Sequence, residues 1–301
     1  MASGLWTAFR SRPFGRHPAP GDVPVAIFVM AADTRPGAVD PRRAIAGQDE
    51  AFARGLAALD RLAGERVVLC QSGDAALPGV VRGDRLRVLT MPPLHPHGLA
   101  GVQIHRHCPA TPARPVWDIA AEDVAAIGAL LGDGHVAPTR LVSVTGTALR
   151  AGRLVRCQPW ADLRSLSRGH VRPGPHRHVS GSALDGRETR WLRPRDRQVS
   201  VMVPPARGED HHWFLSALRG ARRPLPLIPS AAMDQSLGGA IPAMPLLRAL
   251  SVGDAEAAAR LGVLSLLPED MALADYLTCS EPRLARLLAD MLAGIEREEV
   301  A

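Results

Sequence analysis

The 301-residue sequence contains neither lysine nor asparagine, so all 36 basic side chains are arginine. That excludes a phosphate-loop lysine, a Schiff-base lysine and Asn-linked glycosylation. A pI of 10.2 loses much of its weight as a nucleic-acid signal for the same reason. Cysteine is scarce as well. Cys70, Cys108, Cys157 and Cys279 form no CxxC pair, no zinc spacing and no iron–sulfur run, and they read as free thiols of a reducing compartment. No apolar run approaches the ~18–20 residues of a membrane helix, and the longest, Val23 to Ala32, is interrupted at Pro24. The GxGxxG and GxSxG loops of dinucleotide sites and serine hydrolases are missing too.

What is present is an ordinary globular balance, with 46% hydrophobic and 22% charged residues. At roughly 150 residues per domain, the length allows two domains, or three if one is small. Charge divides the chain into three. Residues 1–149 hold 15 arginines against 13 acids, 150–223 hold 16 against 6, and 224–301 hold 5 against 11. The basic middle points to an anionic neighbour or to plain solvation.

The first part reads as strand–helix–strand alternation, hence a parallel sheet flanked by helices. Pro24 to Met30 and Arg66 to Cys70 are buried strands, Arg85 to Leu89 a weaker one and Arg140 to Val144 a last one. Asp40-Pro41 opens a single helix running to Gly64, and Asp118 to Leu131 is a second helix. From Gly152 to Val203, short β-rich pieces alternate with arginine, glycine and proline turns, as in a small mixed or mainly β domain. The stretch Arg222 to Pro245 reads as linker. Pro245 to Leu250, Asp254 to Leu261 and an apolar stripe from Leu284 to Ile295, capped by Ser280-Glu281-Pro282, form a helical unit.

Chemistry-bearing residues are few. His95, His97, His105, His107 and Cys108 are dense, but Pro96 and Pro109 mark loops and no zinc spacing is present. His170, His176 and His178 sit among arginines, which disfavours a cation site and favours a solvated basic loop. His211-His212 reads as a helix start. Asp49-Glu50 and Glu269-Asp270 read as helix-start or surface acids. Residues 161–190 contain no Phe, Tyr or Trp, which argues against single-strand nucleic-acid binding.

Longer motifs carry a specific resemblance. SGLWTAFRSRPF (Ser3 to Phe14), AIFVMAADTRPGAVDP (Ala26 to Pro41), HPHGLAGVQIH (His95 to His105), VWDIAAEDVAAIG (Val116 to Gly128), VSGSALDGRE (Val179 to Glu188) and LLRALSVGDAEAAARLGVLSLLPEDMAL (Leu246 to Leu273) follow one another in order. Over nearly its whole length the chain resembles the A subunit of the sodium-translocating NADH:quinone reductase (Nqr). The resemblance implies an α/β chain in three domains: a Rossmann-like parallel-sheet domain at 1–150, a small β-grasp-like domain at 151–215, and a linker plus helical domain at 216–301.

It further implies an accessory component, itself non-catalytic, of a complex that passes electrons from NADH to ubiquinone and exports sodium. Flavins and one iron–sulfur centre then belong to other subunits, and this chain binds no metal and no tightly held cofactor. Distant relatives use a glycine-rich turn for flavin and NADH and several helical-domain cysteines for a cluster. Here that turn is Ser3-Gly4-Leu5-Trp6, and Cys279 is the single thiol of the helical part.

The implied partners are the other Nqr subunits, with quinone or lipid headgroups as further contacts and no nucleic acid. The implied location is cytoplasmic, peripheral on the inner face of the bacterial inner membrane. In the family the SGLWTAF motif lies behind a barrel-sandwich domain, which is expected to be lacking here. Gly4, Trp6, Arg12, Pro13, Phe14, His95 and Gly98 are the expected interface or pocket formers. The competing expectations are a stand-alone flavin- or nucleotide-binding oxidoreductase, a non-functional truncated remnant, and an RNA-binding module.

Overall fold

The short N-terminal strand β1 (Arg10–Arg12) opens a chain whose first half alternates strands and helices. The computed structural model describes residues 3–73, 75–80, 83–204, 229–279 and 283–300. Next come β2 (Ala26–Ala31), α1 (Pro41–Ala44), α2 (Asp49–Leu62), β3 (Arg66–Ser72), β4 (Leu86–Met91), α3 (Ala100–His107), β5 (Val116–Ala120) and α4 (Ala121–Asp133). The sheet order is β1-β5-β2-β3-β4, with β2 to β5 parallel and β1 antiparallel at the edge. Parallel strands covered on both faces must be apolar throughout, which the AIFVMA and RVVLC runs supply. Ile27, Val29, Val67 and Leu69 pack with Phe52 and Leu56 of α2 and Val124 of α4. Ala26, Phe28, Val68 and Cys70 pack with Ala100 and Ile104 of α3 on the other face.

Sequence expectations change at several points here, first at residues 118–120, which are read as the start of the second helix and are instead the end of strand β5. The single helix from Asp40 is two helices. Asp40 does cap the first, accepting from the Arg42 amide, but Gly47 at φ +76° turns the chain before Asp49 restarts it. Pro96 and Pro109 lie in loops, and α3 occupies the stretch between them. The strand Arg140–Thr145, read as the last of the first sheet, is instead β6, a central strand of the second sheet.

That second sheet adds β7 (Arg153–Cys157), α5 (Leu163–Ser167), β8 (Arg177–Ser180), β9 (Arg187–Glu188) and β10 (Gln198–Met202). Its order is β7-β6-β10-β8-β9, with β6 and β10 parallel at the centre and the other pairs antiparallel. Counted within the sheet this is 2-1-5-3-4, the β-grasp order, with Leu163 and Leu166 of α5 in its core.

The helical part comprises α6 (Ala231–Ser236), α7 (Ala243–Val252), α8 (Ala255–Arg260), two 3-10 turns, α9 (Ala272–Thr278) and α10 (Leu284–Val300). The stretch read as linker therefore becomes helical at Ala231, where the Ser230 side chain caps the Met233 amide. Its upstream portion, His211-His212 and the Ser280-Glu281-Pro282 cap lie outside the described residues. The first amides of α10, Leu284 and Ala285, donate to the carboxylate of Asp275 at 2.5 and 3.1 Å. The stripe Leu284, Leu288 and Leu292 buries against Leu247, Leu250 and Met271. Among the described residues, no helix is long and apolar enough to cross a membrane.

Candidate functional site

Gly4 through Arg16 form an arm that touches all three parts of the molecule. Gly4, at φ +75°, starts a 3-10 turn (Leu5–Ala8) that carries Trp6. The Trp6 indole donates to the Pro18 carbonyl at 2.8 Å and stacks with Phe9 and Trp117 at centroid distances of 5.3 and 5.8 Å. Trp117 is fully buried, so this trio is the floor of the α2/α4 layer. Phe14, at φ +76°, packs into the helical core, and Arg16 pairs with Glu296 of α10 at 2.5 Å. Pro13 follows Arg12 through a cis peptide between the two sets of contacts.

Between them lies a buried ionic junction. Arg12 has 0% exposure, and its Nε donates to Asp118 Oδ1 on β5 at 3.2 Å. Its Nη1 donates to the Ser265 carbonyl at 2.8 Å and to Asp270 Oδ2 at 3.0 Å. Arg10 pairs with Asp118 and Glu269, and Arg195, from the loop before β10, reaches Asp118 at 3.3 Å. Three guanidiniums thus face three carboxylates, contributed by both sheets and the helical part. Burial alone would raise Asp118, but Arg10, Arg12 and Arg195 hold it well below the usual carboxylate range. Asp270, expected at a helix start or the surface, is buried at 1% exposure and accepts from the Leu267 amide at 2.8 Å. A pairing 258 residues apart leaves no local sequence signal.

The second cluster lies at the carboxyl ends of the parallel strands. After β2 the chain proceeds to β3 and β4 and then returns to β5 on the other side, so the order reverses between β2 and β5. Open α/β sheets take ligands at that place. Here the loop after β2 fills it with its own contacts. Arg35 makes a forked pair with Asp33 (2.9 and 2.5 Å) and reaches Asp185 of the second sheet's GSALDG loop at 3.0 Å. Gln198 of β10 donates to the Pro36 carbonyl at 2.6 Å, and a Cβ on Gly37 would stand 2.9 Å from Thr145 Oγ1. The glycines of GSALDG stand out in the sequence, but nothing local there marks Arg35 as the partner.

His95 and Gly98 join this cluster. The Gly98 amide donates to Thr34 Oγ1 at 2.9 Å, and a Cβ at position 98 would stand 2.6 Å from the Thr34 nitrogen. His95 Nδ1 lies 3.3 Å from Thr34 Oγ1, and its Nε2 is buried without a partner among the described residues. Burial lowers His95, with Arg35 adding to the effect and Asp33 and Asp185 opposing it. The cluster therefore offers a neutral imidazole beside a fixed Arg–Asp–Asp triad, which can hold a hydrogen-bonding group but supplies no activated nucleophile. The seven expected residues thus fall in three places. Gly4 and Trp6 lie at the aromatic floor, Arg12, Pro13 and Phe14 at the helical junction, and His95 and Gly98 at the sheet's carboxyl edge.

His97, His105 and His107 are lowered first by burial, as is His95. The unfolded chain takes up protons on these imidazoles from about pH 6.5 downward, while the folded chain resists. Stability is therefore present above that range and lost as pH falls through it. The urea midpoint is expected to drop between about pH 7.5 and pH 5.5, and a flat midpoint across this window would show that burial of the imidazoles has no energetic consequence.

The residues do not fit the cofactors of the distant relatives. The Ser3–Trp6 turn carries one glycine and fills its space with an indole, while its Gly4 and Trp6 carbonyls accept from the Thr7 and Phe9 amides of the 3-10 turn. Cys70 and Cys108 lie in the core of the first sheet, Cys157 in that of the second, and Cys279 on the helical part. Cys70 is pushed up to about 12 by burial. These thiols cannot converge on one cluster. Among the described residues, no three His, Cys, Asp or Glu side chains are placed to hold a metal ion.

A family model described as the NqrA second alpha/beta domain matches residues 1–136. The chain is similar to a Pseudomonas aeruginosa protein named as the A subunit of the Na(+)-translocating NADH-quinone reductase, at 36% identity over 99% of this chain and 72% of that protein. It is similar to the protein of the same name from Tolumonas auensis at 37% identity, with the same coverage. A crystal structure of an NAD+-reducing [NiFe]-hydrogenase in the H2-reduced state aligns with 90% of this chain and 57% of its own at 12% identity, with a TM-score of 0.46.

Proposed function

The chain belongs to the NqrA family, the A subunit of the Na(+)-translocating NADH-quinone reductase, and from that premise we propose that it works as an accessory, carrier-free component of such a complex. In this reading, electrons pass from NADH to ubiquinone through flavins and an iron–sulfur centre on partner subunits, and sodium export is coupled to that transfer. The isolated chain performs no catalysis. It sits peripherally on the cytoplasmic face of the inner membrane, and the surfaces around Gly4, Trp6, Arg12, Pro13, Phe14, His95 and Gly98 serve assembly. The proposed division is into three units, as expected from 1–150, 151–215 and 216–301, except that the first boundary moves to before β6 (Arg140–Thr145), which belongs to the middle unit.

The observation that supports the carrier-free reading is the filled crevice. Where a nucleotide-binding sheet opens to its ligand, Arg35, Asp33 and Asp185 lock the loop after β2 to the second sheet. A pyrophosphate entering there would meet two carboxylates whose guanidinium is already engaged. Purification of a tagged chain from salt-washed, detergent-solubilised membranes tests the proposal. Companion subunits are expected to co-purify, and the chain alone is expected to be colourless. Stoichiometric flavin absorbance on the chain without companions would instead establish the stand-alone oxidoreductase.

A further inference from the structure

The β-grasp part carries a surface that none of the preceding contacts uses. Two adjoining cavities of about 410 and about 290 Å³ share Arg164, His176 and His178. Ser167 and Arg168 line the first; Arg177, Glu188 and Arg190 line the second. Arg164, Arg168 and Arg177 are exposed, and among the described residues none of the three makes an ion pair. Cations left unpaired around a concave surface create a positive field, which Glu188 and Asp162 offset only in part.

Two exposed indoles lie on neighbouring loops, Trp191 directly after the cavity-lining Arg190 and Trp160 on the loop before α5. Trp160 is 61% and Trp191 45% exposed, whereas Trp117 is fully buried. Their loops are tied by backbone bonds from Leu163 N to Arg190 O and from Leu192 N to Ala161 O, both 2.9 Å. The Arg190 guanidinium lies 4.8 Å over the Trp191 ring. Exposed tryptophan among exposed arginines is the pairing a phospholipid surface selects, with the indole at headgroup level and the guanidinium on phosphate.

We propose that this face of the β-grasp part, from Trp160 and Arg164 through His176 and His178 to Trp191, docks on an anionic phospholipid bilayer. The proposal rests on the peripheral placement given above and deepens it by naming the surface that makes it. A single-stranded nucleic acid also seeks arginine and open aromatic faces, but Arg190 already covers one face of Trp191, and His176 and His178 stack edge-to-face on each other at 5.2 Å. Few ring faces are left for bases.

The histidines add a pH dependence. His178 lies 2.8 Å from Ser167 Oγ and is lowered by burial, then by His176 and Arg164, against the opposing Asp162 and Glu188. Arg168, Arg177 and Arg190 also face the groove. An anionic surface favours the imidazolium, so docking strengthens as pH falls.

Flotation of the full purified chain with phosphatidylcholine vesicles, with and without phosphatidylglycerol, tests this. Binding is expected only with phosphatidylglycerol, accompanied by a blue shift in tryptophan emission that diminishes in W160F and W191F. At the usual contribution of an arginine beside an anionic surface, neutralising two in R164Q/R168Q lowers partition by roughly thirtyfold, and salt near 1 M removes it. Circular dichroism and an unchanged thermal midpoint confirm that the variant folds. Equal partition to both vesicles, partition unaffected by R164Q/R168Q, or affinity for single-stranded RNA in place of vesicles would overturn the proposal. The assay contains only this chain and lipid, so its outcome is independent of whether partner subunits co-purify.

Discussion

Arg12→Met is expected to destabilise the protein by about 3–5 kcal/mol, the cost of removing one partner from a buried charge pair. Methionine keeps the unbranched apolar stem but ends short of the guanidinium and supplies no proton donors. Asp118, at 4% exposure, would keep only the longer contacts from Arg10 and Arg195, at 3.3–3.4 Å, and Asp270 would lose its guanidinium altogether. The Ser265 carbonyl would lose its donor as well. Because the junction joins both sheets to the helical part, the loss should also reduce cooperativity, with the helical part unfolding first in guanidinium followed by circular dichroism. Arg16→Ala, which removes the exposed bridge to Glu296, is the control and should barely move the midpoint. A wild-type midpoint for Arg12→Met would refute the junction's structural role.

The same junction governs the acid limb. A carboxylate held below its unfolded value stabilises the fold above that value, and the contribution disappears as pH falls through the lower, folded value. Asp118→Asn should therefore lose most against wild type at neutral pH. The gap should close below about pH 4, where the unfolded carboxylate takes up its proton. A gap that is constant with pH would assign the effect to packing instead.

The second large effect concerns α2 and α4. A Cβ on Gly128 would fall on the Ala51 carbonyl oxygen, and one on Gly55 would meet the Val124 carbonyl. The two helices thus cross backbone to backbone through paired glycines. On helix propensity alone, Gly128→Ala should stabilise by about 1 kcal/mol. The contact predicts the opposite sign: helix separation and a loss of about 3 kcal/mol, the upper end for overpacking, since a carbonyl cannot rotate aside. Gly294→Ala in α10 separates the two effects, because its nearest obstacle is the Arg297 guanidinium at 4.0 Å. That variant should gain stability while Gly128→Ala loses it; equal gains from both would rule out the close crossing.

The strand–helix alternation of the first sheet, the β-rich middle, the helical end and the family were all legible before any fold was known. Each depends on local periodicity or on long contiguous motifs such as AIFVMAADTRPGAVDP, and the basic excess of the middle part is a matter of composition alone. That Arg140–Thr145 joins the second sheet emerged with the fold, because a buried apolar strand carries no mark of which neighbours it pairs with. The same holds for Asp270, whose helix-start position was visible while its burial against Arg12 was not. Residues 161–190 are indeed empty of aromatics, yet the fold brings the loops of Trp160 and Trp191 together just outside that window. Charge pairing, backbone crossings and loop neighbours span tens to hundreds of residues, and over such separations one sequence holds composition but no distance.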